Sequence, residues 1–133
     1  MNYKLKISNK FKMYIIKSEI IDNGIIDGVR YKFGFENGLV ASVVKLTMSY
    51  GYECDLWECA VLQKNNSLAS CDITGDDCVL GYMKDQDVEL FLECVKSGNI
   101  DTDFKIIKEA AKKYFNKKGE KWWDYQILTG NVI

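Results

Sequence analysis

A chain of 133 residues, 47% hydrophobic and 28% charged with a formal net charge of −1, has the length and balance of one domain with a real core, and too little length for two. It contains neither histidine nor proline. The missing imidazole removes the commonest general base, the Ser-His and Cys-His nucleophile pairs and the commonest transition-metal ligand, and with them most hydrolase templates.

No apolar run approaches the roughly 18 residues of a membrane span. The basic start, MNYKLKISNKFKMYIIK, lacks a continuous apolar stretch and a small-residue cleavage site, so a cytoplasmic product is expected. A first strand is predicted over Lys12 to Lys17, followed by turn chemistry at Asp22-Asn23-Gly24 and Asp27-Gly28.

Asn37-Gly38 between two apolar runs is the strongest local signal in the chain. A two-residue type I′ turn needs positive φ at both central residues, which Asn and Gly tolerate best. That turn predicts Glu36 opposite Leu39, Phe35 opposite Val40, Phe33 opposite Ser42, Tyr31 opposite Val44 and Val29 opposite Leu46. One face is then almost wholly apolar, and the other carries Arg30, Lys32, Glu36 and Lys45. The meander continues over residues 29–73, with a strand at Leu56 to Gln63, a turn at Asn65-Asn66-Ser67, a return strand at Leu68 to Ile73 and a break at Thr74 to Asp77.

From Asp85 to Ser97 the apolar residues Val88, Phe91, Leu92 and Val95 fall at i, i+3, i+4 and i+7, the stripe of an amphipathic helix that Gly98 is placed to end. A second helix is predicted over 102–117, with Asp101, Thr102 or Asp103 as N-cap and Gly119 as breaker, followed by a strand or tail over 121–133. The pattern is α+β: one domain over 1–133, a basic N-terminal segment at 1–18, an antiparallel meander of about five strands and two C-terminal helices packed on one face.

Cys54, Cys59, Cys71, Cys78 and Cys94 make no CxxC, and reduced, buried thiols are the expectation, with Cys59 on the Trp57, Cys59, Val61 face of its strand. A zinc site from Cys54, Cys59, Cys71 and Cys78 would be spaced unlike the usual knuckles. No catalytic, cofactor-binding or metal-binding set is assigned.

Charge is uneven along the chain: five Lys and no acid in residues 1–18, six basic against sixteen acidic side chains in 19–103, and seven Lys against three acids in 104–133. In the last third, Lys112, Lys113, Lys117, Lys118 and Lys121 beside Trp122 and Trp123 form a candidate groove for single-stranded nucleic acid. The competing account is a helix C-terminus complemented by Lys, with its aromatics in the core. In the acidic middle, Tyr50, Tyr52, Glu53 and Asp55, with Asp76 and Asp77 on the next loop, form a candidate surface for a basic protein partner. The alternatives there are a solvated polar rim and a Mg²⁺ site built from Glu53, Asp55 and Glu58 together with Asp72, Asp76 and Asp77.

The runs Phe35-Glu36-Asn37-Gly38, Ala41-Ser42-Val43-Val44, Tyr50-Gly51, Leu56-Trp57-Glu58 with Ala60-Val61-Leu62, and Asp76-Asp77 with Gly81-Tyr82 resemble a group of small phage and prophage proteins over about Phe33 to Val95. The chain departs from the group's pattern at Leu39-Val40, at Cys59, at Cys78 and at Lys84, where a Thr helix cap is common; Asp85 is the expected substitute cap. The resemblance implies a non-enzymatic accessory protein, a monomer or small homo-oligomer, that binds and inhibits a host protein, commonly a bacterial defence nuclease such as a CRISPR effector. The alternative is a nucleic-acid-binding accessory protein that uses the Lys/aromatic segment. No membrane partner is expected.

Overall fold

The computed structural model describes residues 2–63, 65 and 79–98. Among the described residues one antiparallel sheet is built in strict chain order: β1 (Ile15–Asp22), β2 (Asp27–Gly34), β3 (Val40–Leu46), β4 (Trp57–Leu62) and β5 (Val79–Met83), with β1 and β5 outermost of these strands. A single helical turn, α1 (Asn9–Lys12), precedes it, and α2 (Asp85–Ser97) follows and packs on β3, β4 and β5. The architecture is α+β, as the sequence pattern predicts. The expected return strand at Leu68 to Ile73, the helix over 102–117 and the tail over 121–133 lie outside the described residues.

The first strand begins and ends later than predicted. Ser8 caps α1, its side chain accepting from the Lys10 N–H, and Phe11 in that turn is wholly buried, so the chain enters the sheet only at Ile15. At the far end the Asn23 side chain accepts from the N–H groups of Ile25 and Ile26 at 3.0 and 2.7 Å and closes the β1–β2 turn.

The β2–β3 hairpin differs from the predicted register by one residue. Gly34 pairs with Val40, Phe33 with Ala41, Tyr31 with Val43 and Val29 with Lys45. The Gly38 N–H donates to the Phe35 carbonyl at 3.0 Å, and the Phe35 N–H to the Leu39 carbonyl at 3.0 Å. Gly38 has φ +86, whereas Asn37 does not have positive φ. The loop is therefore three residues long, a type I turn completed by a left-handed glycine, and not the two-residue I′ form. The extra residue moves Lys45 from the charged face to the face of Val29, Tyr31 and Phe33, where it is buried.

On that face Phe33, Ala41, Val43, Trp57, Cys59, Leu80 and Met83 join Leu5, Phe11 and the α2 residues Val88, Phe91, Leu92 and Val95 in one core. Every residue of β3, β4 and β5 is buried, so apart from Lys45 and Glu58 their side chains are mostly apolar or small on both faces and strict alternation disappears from their sequences. The α2 boundaries agree with the periodicity, and Gly98 ends the helix in the left-handed conformation at φ +69. Its start corrects the expected cap: the Asp87 carboxylate accepts from the Lys84 N–H at 3.0 Å, while Asp85 instead accepts from the Trp57 indole N–H at 2.8 Å.

Candidate binding surface at the β3–β4 connection

The connection from Thr47 to Leu56 is held at its root before it reaches solvent. Thr47 exchanges hydrogen bonds with the Asp27 backbone at 2.9 and 3.0 Å, and the Ser49 hydroxyl bridges the Leu46 N–H and carbonyl at 3.0 and 2.8 Å. Gly51 then turns left-handed at φ +97, Tyr52–Cys54 form one 3₁₀ turn, and Asp55 turns left-handed at φ +60 so that the chain can enter β4. The Gly51 carbonyl accepts from both Cys54 and Leu56 at 3.0 Å and closes the loop on itself.

Two glycines explain why this loop lies against β5. A Cβ at Gly81 would stand 2.3 Å from the Tyr50 Cβ, and a Cβ at Gly51 would stand 3.0 Å from the backbone of Tyr82. The Tyr82 N–H donates to the Tyr50 carbonyl at 3.3 Å. Tyr50-Gly51 and Gly81-Tyr82, far apart in sequence, are thus the two halves of one backbone clasp. Between its pairs with Trp57 and Cys59, β5 carries an extra residue, so that Gly81 and Tyr82 together lie opposite Glu58, and Tyr82 has φ +58 there.

Glu58 lies inside this clasp with 1% of its surface exposed. One carboxylate oxygen accepts from the Tyr50 N–H at 3.2 Å, and the other has no hydrogen-bond partner among the described residues. Burial pushes its pKa up to about 8, opposed only by the Tyr50 N–H, so the group is largely protonated at neutral pH. A perturbed carboxyl of this kind is a common mark of an active site. Here it is sealed from solvent, and its geometry is that of a support for the loop.

Lys45 closes the other side of the connection. Its ammonium donates to Asp55 at 2.7 Å and to the Asn2 carbonyl at 2.6 Å, and it stands 4.2 Å above the Trp57 ring. The Asn2 N–H donates to the same Asp55 oxygen at 3.0 Å, which ties the N-terminal segment to the loop. The Lys45 hydrogen bond holds the Asp55 carboxyl below the usual aspartate value.

The structure therefore separates the residues expected at the partner surface. Tyr50 is buried at 2% exposure, because its backbone and Cβ form the clasp, and it is withdrawn from the surface. Asp55 is half exposed but engaged by Lys45. Glu53 is exposed, and Tyr52 is half-buried with its hydroxyl 3.0 Å from that of Tyr3. Asp76 and Asp77 lie outside the described residues, as do Lys112, Lys113, Lys117, Lys118, Lys121, Trp122 and Trp123 of the candidate nucleic-acid groove. The sequence reading missed Met48, which is 54% exposed beside this turn, and its signal was an apolar residue inside a polar turn.

The Mg²⁺ arrangement is not formed by its described members: Glu58 points into the clasp and Asp55 is paired with Lys45, so the two do not converge with Glu53. Among the described residues no three Cys, Asp or Glu side chains gather as a metal site. Cys59 is fully buried in the core as expected, and burial pushes its thiol well above the usual range, which leaves it inert. Cys71 and Cys78 of the zinc alternative lie outside the described residues. A shallow groove of about 330 Å³ runs between Ser8, Lys10 and α2, and its acids are already engaged: Glu89 accepts from the Ser8 N–H at 2.7 Å and Glu93 pairs with Lys10.

No family model matches this sequence, and neither a curated protein nor a solved structure matches it. No helix among the described residues is long and apolar enough to cross a membrane.

Proposed function

We propose that the chain is a non-enzymatic binding protein of the phage-accessory kind its motifs resemble, and that it inhibits a host defence nuclease through the β3–β4 connection. One observation carries this reading. Met48 and Glu53 face solvent, with the half-buried Tyr52 between them, on a backbone fixed from beneath by the Tyr50–Tyr82 clasp and from the side by the Lys45–Asp55 pair. Methionine and tyrosine are enriched where proteins meet, and a prefixed loop loses little conformational freedom on binding. Glu53 has no ion-pair partner among the described residues, which leaves its charge available to a basic contact such as the nucleic-acid channel of a nuclease.

The test uses bacteria with an active CRISPR interference system. Expression of the chain is expected to let a targeted plasmid survive, and the double variant Met48→Asp/Glu53→Lys is expected to abolish that protection with its melting temperature unchanged. Survival no better than without the chain overturns the inhibitor reading. Full protection by the double variant overturns the surface.

A further inference from the structure

Among the described residues β1 is an outer strand of the sheet, and the direction of its backbone groups can be read from its neighbours. The Gly34 N–H reaches the Tyr14 carbonyl at 2.9 Å, and the Asp27 carbonyl accepts from the Thr47 N–H at 2.9 Å. Even-numbered residues of β2 thus turn their backbone groups toward β1, and odd-numbered ones toward β3. Through the β1–β2 register, Lys17, Glu19 and Ile21 receive those bonds, so the N–H and C=O of Ser18 and Ile20 point outward from the sheet edge. Large apolar side chains accompany them: Ile16 is 63% and Ile20 75% exposed. An exposed edge of this kind is a template for another strand.

We propose that two copies of the chain pair antiparallel along β1, with the two-fold axis at Ser18. Three self-pairings use the outward groups, and charge selects among them. An axis at Glu19 sets the two Glu19 carboxylates directly opposite each other. An axis at Ile20 sets Glu19 opposite Ile21 and Lys17 opposite Asn23 in the turn, and matches no charge. An axis at Ser18 sets Lys17 opposite Glu19 of the second copy, twice, and Ile16 opposite Ile20. Within one copy Glu19 already lies 3.5 Å from Arg30 and 3.6 Å from Lys17, so the pairing extends an existing ladder of alternating charge. The bulge between Ile15 and Lys17 ends the regular stretch, which keeps the seam short and the dimer concentration-dependent.

Sedimentation equilibrium of the full chain from micromolar to millimolar concentration is expected to show a reversible monomer–dimer equilibrium, and a monomer throughout overturns the proposal. Ser18→Pro removes an outward N–H that takes no part in the β1–β2 ladder, so the fold is expected to persist while the dimer dissociation constant rises by about tenfold or more. A folded Ser18→Pro chain that dimerises like the original overturns it. Should that variant fail to fold, the charge exchange decides: Lys17→Glu and Glu19→Lys are each expected to be monomeric alone and to form a mixed dimer when combined. Single variants that dimerise unchanged, or a mixture that stays monomeric, overturn the assignment.

Discussion

The Asn37 side-chain amide donates to the Val95 carbonyl at 2.7 Å and to the Lys96 carbonyl at 3.3 Å, so the tip of the β2–β3 hairpin caps the far end of α2. The same side chain accepts from the Leu39 N–H at 3.0 Å within its own turn. A residue recognisable as a turn former is thus also the tie between sheet and helix. Asn37→Ala is expected to lower stability by about 1–2 kcal/mol in urea titration. Asn37→Asp keeps the turn acceptor but points a carboxylate at helix carbonyls, and is expected to cost at least as much. An aspartate variant as stable as the original would refute the capping role.

Glu58 makes stability fall as pH rises. The folded state holds its proton up to about pH 8, whereas an unfolded chain releases it near 4.5, so unfolding is favoured progressively across that window and no further above it. Glu58→Gln, which retains the acceptor for the Tyr50 N–H, is expected to flatten the melting temperature between pH 5 and 8 and to exceed the original at the upper end. A variant with the original pH profile would place the titration elsewhere.

For Asp55 the sign is reversed. The bond to Lys45 holds Asp55 below its ordinary value of 3.8, so the pair contributes at neutral pH and is lost as pH falls below that value. Lys45→Met is expected to cost about 1 kcal/mol at neutral pH, modest because Asp55 is half exposed and regains water. It is also expected to speed amide exchange in the Asn2–Lys4 segment, which loses its anchor. Undiminished protection of that segment would count against the tie.

Gly81 admits no side chain. Gly81→Ala is expected to cost about 3 kcal/mol or more, because its Cβ meets the Tyr50 Cβ. Tyr50→Ala retains that atom and should not rescue the variant, whereas Tyr50→Gly should do so in part. Rescue by alanine as effective as rescue by glycine would show that the ring, and not the backbone approach, sets the limit.

Much of this architecture was legible from local chemistry. The α2 helix announced itself through Val88, Phe91, Leu92, Val95 and Gly98, and the strand order through turns at Asn23 and Asn37. The hairpin register was not legible, because Asn-Gly serves both the I′ turn and the longer loop in which only the glycine is left-handed. The choice rests on tertiary partners, namely the Asn37 bonds to α2 and the place that Trp57 and Asp55 make for Lys45. At the candidate surface, Tyr50 read as an exposed aromatic beside acids, and nothing local disclosed that Gly81 and Tyr82 would enclose it. Glu53 needed no such information, since a charged residue in a short polar turn between two buried strands turns to solvent, whereas the Tyr52 contact with Tyr3 is again tertiary.

The sheet's chain order has a bearing on how a ribosome makes this molecule. Each of the first four strands emerges beside the one just completed, so synthesis as far as Leu62 supplies a nearly finished meander with only neighbour-to-neighbour contacts to find. The hairpin tip must wait longer. Its cap acceptor, the Val95 carbonyl, lies 58 residues beyond Asn37, so the nascent sheet is held loosely at that corner until the helix leaves the exit tunnel and fastens it.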